Sequence, residues 1–440
     1  MNVPALTAVR PSPRQLAWQQ LEFYGFLHFG MNTMTDREWG LGHEDPALFD
    51  PAALDADQWV RTLKSAGLRA VILTAKHHDG FCLWPSAVTR HSVASSPWKN
   101  GQGDVVAEVA AAADRHGLKF GIYLSPWDRT EASYGSGRAY DDFYVAQLTE
   151  LLTSYGPVFC VWLDGANGEG PNGKVQTYDW ERYYATVRRL QPSAVISVCG
   201  PDVRWCGNEA GETRTDEWSV VPRALQDVER IAAKSQQVDD GEFARTVRSD
   251  DADLGSREAL HGISDLVWYP SEVNTSIRPG WFHHPSENGE VRSVDELFDI
   301  YRHSVGGNAT FLLNVPPTRD GVIHPQDVAT LEGLGARIAD FRSRTLKADL
   351  REDDALTLLL DSPHAVEAVV LGEDIAQGQR IEHVLLEARL DDRWETLAEA
   401  NTVGYQRILT FPPVVTTAVK ITVTQSRATP VITRAEVIGA

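Results

Sequence analysis

Cysteine is scarce in this chain, with four in 440 residues (Cys82, Cys160, Cys199 and Cys206) and no CxxC spacing among them. That excludes a disulfide-stapled scaffold and a thiolate zinc cluster as organising principles. Two of the four sit inside apolar runs, where thiols behave as small hydrophobes, so reduced core cysteines and a cytoplasmic setting are expected. The start, MNVPALTAVRPSPRQLAWQQ, lacks the charged leader and apolar run of a secretory signal, and no later run reaches the roughly 18 residues of a membrane span. Basic residues are also in short supply, 41 against 61 acidic ones, for a formal charge of −20. Such a surface repels phosphate backbones and anionic lipid, which argues against nucleic acid and membrane as partners and leaves a neutral ligand. Oligomeric state is not legible.

What is present is length and tryptophan. A barrel of about 250 residues or more with a smaller module attached accounts for a chain of this size. Twelve of the thirteen Trp precede residue 345, so broad apolar faces for packing or for sugar C–H surfaces belong to the first three quarters. Apolar runs recur there: YGFLHF (24–29), AVILTA (70–75), KFGIYLS (119–125), FCVWLD (159–164), AVISVC (194–199), LVWYP (266–270) and TFLLNV (310–315). Between most of them lie helix-like stretches, Asp57 to Ser65, Asp104 to His116, Asp141 to Ser154 and Trp180 to Leu190. Buried strands separated by helices indicate a parallel sheet, and a possible eighth strand at Thr215 to Val220 favours a closed (β/α)8-type, TIM-like barrel of the α/β class. Residues 200 to 262 lose this alternation and are expected to form loops over a functional face.

A helix-like segment from Gln326 to Arg344 ends the barrel, giving expected domains of 1–343 and 344–440. Beyond it, Val419, Ile421 and Val423 alternate with Lys420, Thr422 and Thr424, the period-2 pattern of a half-exposed antiparallel sheet. A small C-terminal β-sandwich of jelly-roll type, acting as a structural buttress, is the expectation.

Barrel active sites gather at the C-terminal strand ends. Four ends carry chemistry: FLHFG with His28, followed by Glu38 and Trp39; TAKHHDG with His77, His78 and Asp79; GIYLSPW with Tyr123 and Trp127; and VWLDGANGEG with Asp164. A carboxylate placed like Asp164 suits a glycosidase nucleophile, although an Asp before a glycine can equally cap the next turn. The His, Tyr and Trp of the same rim favour the first role. Adjacent strand residues point to opposite faces, so His77 and His78 are not expected to share an ion, and neither metal nor cofactor is expected. A glycosidase needs a second carboxyl group, and Asp202, Glu209, Glu212, Asp216 and Glu217 in CGPDVRWCGNEAGETRTDEW all qualify by spacing.

The segments YGFLHFGMNTMTDREWG, ILTAKHHDGFCLW, GLKFGIYLSPWDR, VWLDGANGEG, CGPDVRWCGNEAG and EVNTSIRPGW resemble glycoside hydrolase family 29, the retaining α-L-fucosidases, over about residues 14 to 345. They look most like the branch acting on α-1,3- and α-1,4-linked fucose of Lewis-type glycans. The resemblance implies a fucosylated oligosaccharide substrate, Asp164 as nucleophile and Glu209 as acid/base. It further implies that His28, Glu38, Trp39, His77, His78, Tyr123 and Trp162 line the fucose subsite. Phe26 and Trp281 are candidates for an apolar wall against the sugar's methyl group, while Glu212 and Glu217 are expected to be solvated surface residues. The last module looks shorter than the galactose-binding jelly rolls of this branch, so neither sugar binding nor a calcium site is expected of it. The stretch from about Lys234 to Asp265 is expected to recognise a branching galactose. A catalytically silent glycan-binding protein would have lost one carboxylate, and both are present.

Overall fold

A computed structural model describes residues 3–228, 231, 252–352 and 355–440. Eight parallel strands form the first part: β1 (Phe23–Leu27), β2 (Ala70–Lys76), β3 (Lys119–Leu124), β4 (Val158–Leu163), β5 (Val195–Val198), β6 (Arg204–Trp205), β7 (Ser271–Ser276) and β8 (Thr310–Asn314). Their spatial order is β5-β4-β3-β2-β1-β8-β7-β6, and a parallel bridge between Ser197 and Val203 draws the two ends together into a nearly closed TIM-like barrel. Both faces of each strand are covered. Along β1, Phe23 and Leu27 join the layer under the helices, while Tyr24 and Phe26 join an interior cluster with Ile72, Tyr123, Trp162, Trp205 and Leu312. This two-sided burial explains why the apolar runs are continuous instead of alternating.

Helices α1 (Ala56–Ser65), α2 (Val105–His116), α3 (Arg138–Ser154) and α4 (Trp180–Leu190) follow the first four strands, with α5 (Val294–Ser304) and α6 (Pro325–Ser343) after the last two. Side-chain caps start most of them: Asp55, Asp104 and Asp179 each accept a backbone N–H of the first turn, and Ser293 forms a capping box with Glu296.

Two strand expectations need correction. No barrel strand lies at Thr215 to Val220, and the run at 266–270 is not one either. Val220–Pro222 and Leu266–Trp268 instead pair antiparallel outside the barrel, where Val220 and Trp268 pack on Ile375. The true positions are β6, only two residues long, and β7, whose sequence SEVNTS is polar yet wholly buried. Hydropathy selects LVWYP over SEVNTS, but the barrel interior uses the polar strand as a source of hydrogen bonds. Between β6 and β7 runs the long excursion expected over the functional face. Most of the Lys234 to Asp265 stretch, with its expected galactose recognition, lies outside the described residues.

From Thr345 the chain forms seven antiparallel strands, the longest being Leu356–Glu373 and Arg407–Ser426, both interrupted by bulges. They wrap a separate core in which Val419 and Ile421 face in beside Leu386 and Val384, as the period-2 reading requires. The fold is thus a TIM-like barrel followed by a β-sandwich. All four cysteines are free and buried, and no helix among the described residues is long and apolar enough to cross a membrane.

Candidate active site

At the C-terminal end of the barrel lies a pocket that opens to solvent. All eleven residues to which the family resemblance points line it, whereas Asp79 and Trp127 do not: Phe26 and His28 from the end of β1, Glu38 and Trp39 from the loop beyond, His77 and His78 after β2, Tyr123 in β3, Trp162 and Asp164 at the end of β4, Glu209 after β6, and Trp281 after β7. Gly165, Ala166, Val198, Trp205 and Asn274 line it too. These five escaped the sequence reading, because nothing in a Gly-Ala turn or a polar strand distinguishes a pocket wall from a loop.

Asp164 is held by two donors. The Tyr123 hydroxyl donates to Oδ2 at 2.8 Å and the Ala166 N–H to Oδ1 at 2.8 Å, with a fifth of the side chain still exposed. Tyr123 is set in turn by stacking on Trp162 at 5.5 Å between ring centroids. Beneath that ring, fully buried Glu272 accepts from the Trp162 indole N–H at 2.9 Å and from the hydroxyls of Tyr24 and Ser197. Burial lifts the Glu272 carboxyl to about 7 against those three donors.

Three histidines line the same pocket, and second partners fix their tautomers. The Asn314 amide donates to the Trp281 carbonyl, so its Oδ1 accepts from His28 Nδ1 at 2.9 Å and leaves His28 Nε2 as an acceptor. Ser125 donates to the Trp127 carbonyl, so it accepts from His78 Nδ1 at 2.7 Å, and His78 Nε2 is likewise an acceptor, 3.8 Å from Asp164. Asn32 donates to His77 Nδ1 at 3.1 Å, which leaves His77 Nε2 carrying the proton. Burial holds His28 at about 3 and His78 at about 4, and keeps His77 well below the usual range, so all three are neutral at neutral pH.

One expectation about the histidines is overturned. β2 ends at Lys76, so His77 and His78 leave the strand's strict alternation and both turn toward the pocket, their ring centroids 4.1 Å apart. Each places a ring nitrogen within 4.8 Å of an Asp164 oxygen and of the other's, a spacing that could accept an ion. This is the one such group among the described residues.

Glu209 shares the pocket with Asp164. Its Oε2 takes the Trp281 indole N–H at 3.0 Å. Burial raises its carboxyl, the Trp281 bond pulls it back, and the Asp164 and Glu38 carboxylates add to the rise, which leaves it at about 8. Its rivals are engaged elsewhere. Asp202 is buried against Arg188 at 2.6 Å and accepts the Ile196 N–H. Glu217, expected on the surface, is instead 1 % exposed and locked between Arg204 at 2.6 Å and Arg214 at 2.9 Å. Glu212 is half-buried and does not line the pocket.

Residues 14–340 match the family model for alpha-L-fucosidase. The chain belongs to the α-L-fucosidase family. Alpha-L-fucosidase 1 of Arabidopsis thaliana is 41 % identical over 460 residues, covering 96 % of this chain and 86 % of its own length. A glycoside hydrolase 29 family member from an unknown rumen bacterium superposes with a TM-score of 0.85 at 39 % identity, over 98 % of this chain and 77 % of that one. A Ruminococcus gnavus GH29 fucosidase, solved in complex with fucose, gives a TM-score of 0.82 at 28 % identity over 98 % and 95 % of the two chains. This family 29 fucosidase is therefore a glycoside hydrolase acting on fucosylated substrate, and the pocket above is where its chemistry-bearing side chains converge.

Proposed function

We propose that this fucosidase is a retaining exo-enzyme that releases α-1,3- or α-1,4-linked L-fucose from branched, Lewis-type glycans, with Asp164 as nucleophile and Glu209 as acid/base. The observation that carries the mechanism is a pair of carboxyl groups on one pocket in unlike environments. Asp164 accepts from Tyr123 and Ala166 and retains some exposure, while Glu209 is raised to about 8 and keeps its proton at neutral pH. Carboxyls driven apart in this way divide the work of a double displacement. Asp164 attacks the anomeric carbon as Glu209 protonates the departing glycosidic oxygen. Glu209, now ionised, then takes a proton from the water that opens the fucosyl ester.

His28 Nε2 and His78 Nε2 accept from sugar hydroxyls and His77 Nε2 donates to one. Phe26, Trp162 and Trp281 present the apolar surface that a 6-deoxy sugar needs. The linkage preference is supported by the motif resemblance. We likewise propose the division into domains at 343/344 and a cytoplasmic setting, the latter supported by four free, buried cysteines.

Two measurements test this reading. Asp164→Ala is expected to fold normally and lose at least about three orders of magnitude in turnover, since no other nucleophile lies on that strand end. Azide is then expected to yield fucosyl azide of inverted configuration, and near-wild-type hydrolysis by Asp164→Ala would remove the assignment. A Lewis-type trisaccharide is expected to release fucose with higher kcat/KM than linear α-1,2-linked 2'-fucosyllactose, and equal values would refute the linkage preference. The His77, His78 and Asp164 grouping favours a second reading, a metal-assisted hydrolase. Loss of activity with chelator, restored by a divalent ion, would establish that instead.

A further inference from the structure

Trp281 and Glu38 approach the pocket on different loops, after β7 and β1, and the two loops are tied together. Glu38 Oε2 accepts the Trp281 backbone N–H at 2.9 Å and Oε1 accepts the Phe282 N–H at 3.0 Å. Gly280 lies so close that a Cβ there would sit 2.6 Å from Glu38 Oε1. Behind this contact is His284. Its Nε2 is 2.7 Å from Glu38 Oε1 and its Nδ1 is 2.6 Å from Asp36 Oδ1.

A neutral imidazole has one N–H, and here both ring nitrogens meet carboxylate oxygens, so the ring is an imidazolium with two charge-assisted bonds. Its surroundings agree. Burial alone would lower the ring's pKa, but Glu38 and Asp36, with Glu287 nearby, outweigh it and raise it to about 9. The side chains of His284 and Glu38 are 13 % and 11 % exposed, so their pairing is poorly screened.

We propose that His284 is a positioning residue for the acid/base step: it latches the Trp281 loop onto Glu38, and Trp281 then aims Glu209 at the leaving oxygen. The path is unbroken, from Asp36 through His284 and Glu38 to the Trp281 backbone, and from the Trp281 indole to Glu209 at 3.0 Å. None of these links touches Asp164. Loss of the latch therefore affects proton delivery more than nucleophilic attack. The inference rests on the reading of Glu209 as acid/base.

The test compares kcat/KM on two substrates, a fucosyl disaccharide with a sugar leaving group and a 4-nitrophenyl fucoside, whose departure needs little protonation. His284→Ala is expected to lower the disaccharide value about tenfold relative to the aryl value, the scale of a lost charge-assisted bond. Because removal of a half-buried cation could unsettle the loop, Asp36→Gly is measured beside it. Asp36 has φ of 56° and is exposed, so glycine suits the backbone and removes only the outer carboxylate. A smaller shift of the same sign is expected. Equal loss on both substrates in both variants would mark a purely structural ion pair and overturn the proposal, as would no change. Glu209→Gln is the control: leaving-group dependence there without any in His284→Ala defeats the latch alone, whereas none in Glu209→Gln defeats the acid/base reading and the latch with it.

Discussion

Five carboxylates crowd the segment CGPDVRWCGNEAGETRTDEW, and their environments, not their spacing, separate them. Asp202 and Glu217 face arginines, Asp216 lies near Arg407, and Glu209 faces an indole and two other carboxylates. Spacing could not supply that distinction, because the partners include Arg188 of α4, Arg204 of β6, Trp281 beyond β7 and Arg407 of the C-terminal sheet, which only the fold brings together. The prediction for Glu209 follows from its sign. A general acid must be protonated, and a carboxyl raised to about 8 keeps its proton below that pH and loses it above. For poor leaving groups kcat/KM is expected to fall as pH rises through about 8, and Glu209→Gln is expected to flatten that limb. Glu217 behaves oppositely. Its carboxylate, held low by two guanidinium groups against the effect of burial, contributes stability at neutral pH that is lost as pH falls through its depressed value. Glu217→Gln strands Arg204 without its buried partner and is expected to cost about 3–5 kcal/mol in urea denaturation while leaving the leaving-group dependence intact. An unchanged urea midpoint would show that the pair contributes nothing.

Among the elements, the strands legible in the sequence were those whose two faces are both apolar, β1 to β5 and β8. β7 was not, because Glu272, Asn274 and Ser276 serve the barrel interior and the pocket floor with polar atoms that a hydropathy reading scores as loop. The same segment runs on into Arg278, whose side chain is fully buried and bidentate to Asp327 at 2.8 and 2.9 Å. Asp327 stands in the first turn of α6, so this pair fixes the root of the Trp281 loop to the last helix of the barrel. Sequence gives no hint of the pairing, since 49 residues separate the partners. Asp327→Ala is expected to lower stability by about 3–5 kcal/mol, the cost of leaving a buried guanidinium with only Asn288 to accept from it and no counter-charge. Chemical denaturation followed by far-UV circular dichroism measures it, and a midpoint equal to wild type would mean that water reaches Arg278 readily.

On the scale of the molecule, the barrel and the C-terminal sheet share more than a linker. Ala368, Val370 and Ile438 of the sheet belong to the layer that packs on the barrel helices, and Ile375 packs on Val220 and Trp268. Polar ties run alongside: Gln379 accepts the Ser219 N–H at 2.9 Å, Arg407 donates to the Thr215 carbonyl at 2.6 Å, and Glu382 binds Arg257 at 2.6 Å. All three grip the excursion that begins at β6 and carries Glu209, so the sheet buttresses the loop on which the proposed acid/base group stands. A buttress of this kind makes the two parts unfold together, and the distribution of tryptophan offers a way to see it. Twelve of thirteen Trp precede residue 345, so intrinsic fluorescence reports almost wholly on the barrel and its excursion. Leu386 is fully buried in the sheet's own core, away from the barrel cluster, and Leu386→Ala removes about 2–5 kcal/mol from that core. If the parts are coupled, the fluorescence-detected urea midpoint of Leu386→Ala falls along with the stability of the sheet, although no tryptophan environment in the barrel has been altered. If the sheet were a passive appendage, the fluorescence transition would stay at the wild-type midpoint. A separate, earlier transition would then appear by circular dichroism alone, and the buttress would be refuted.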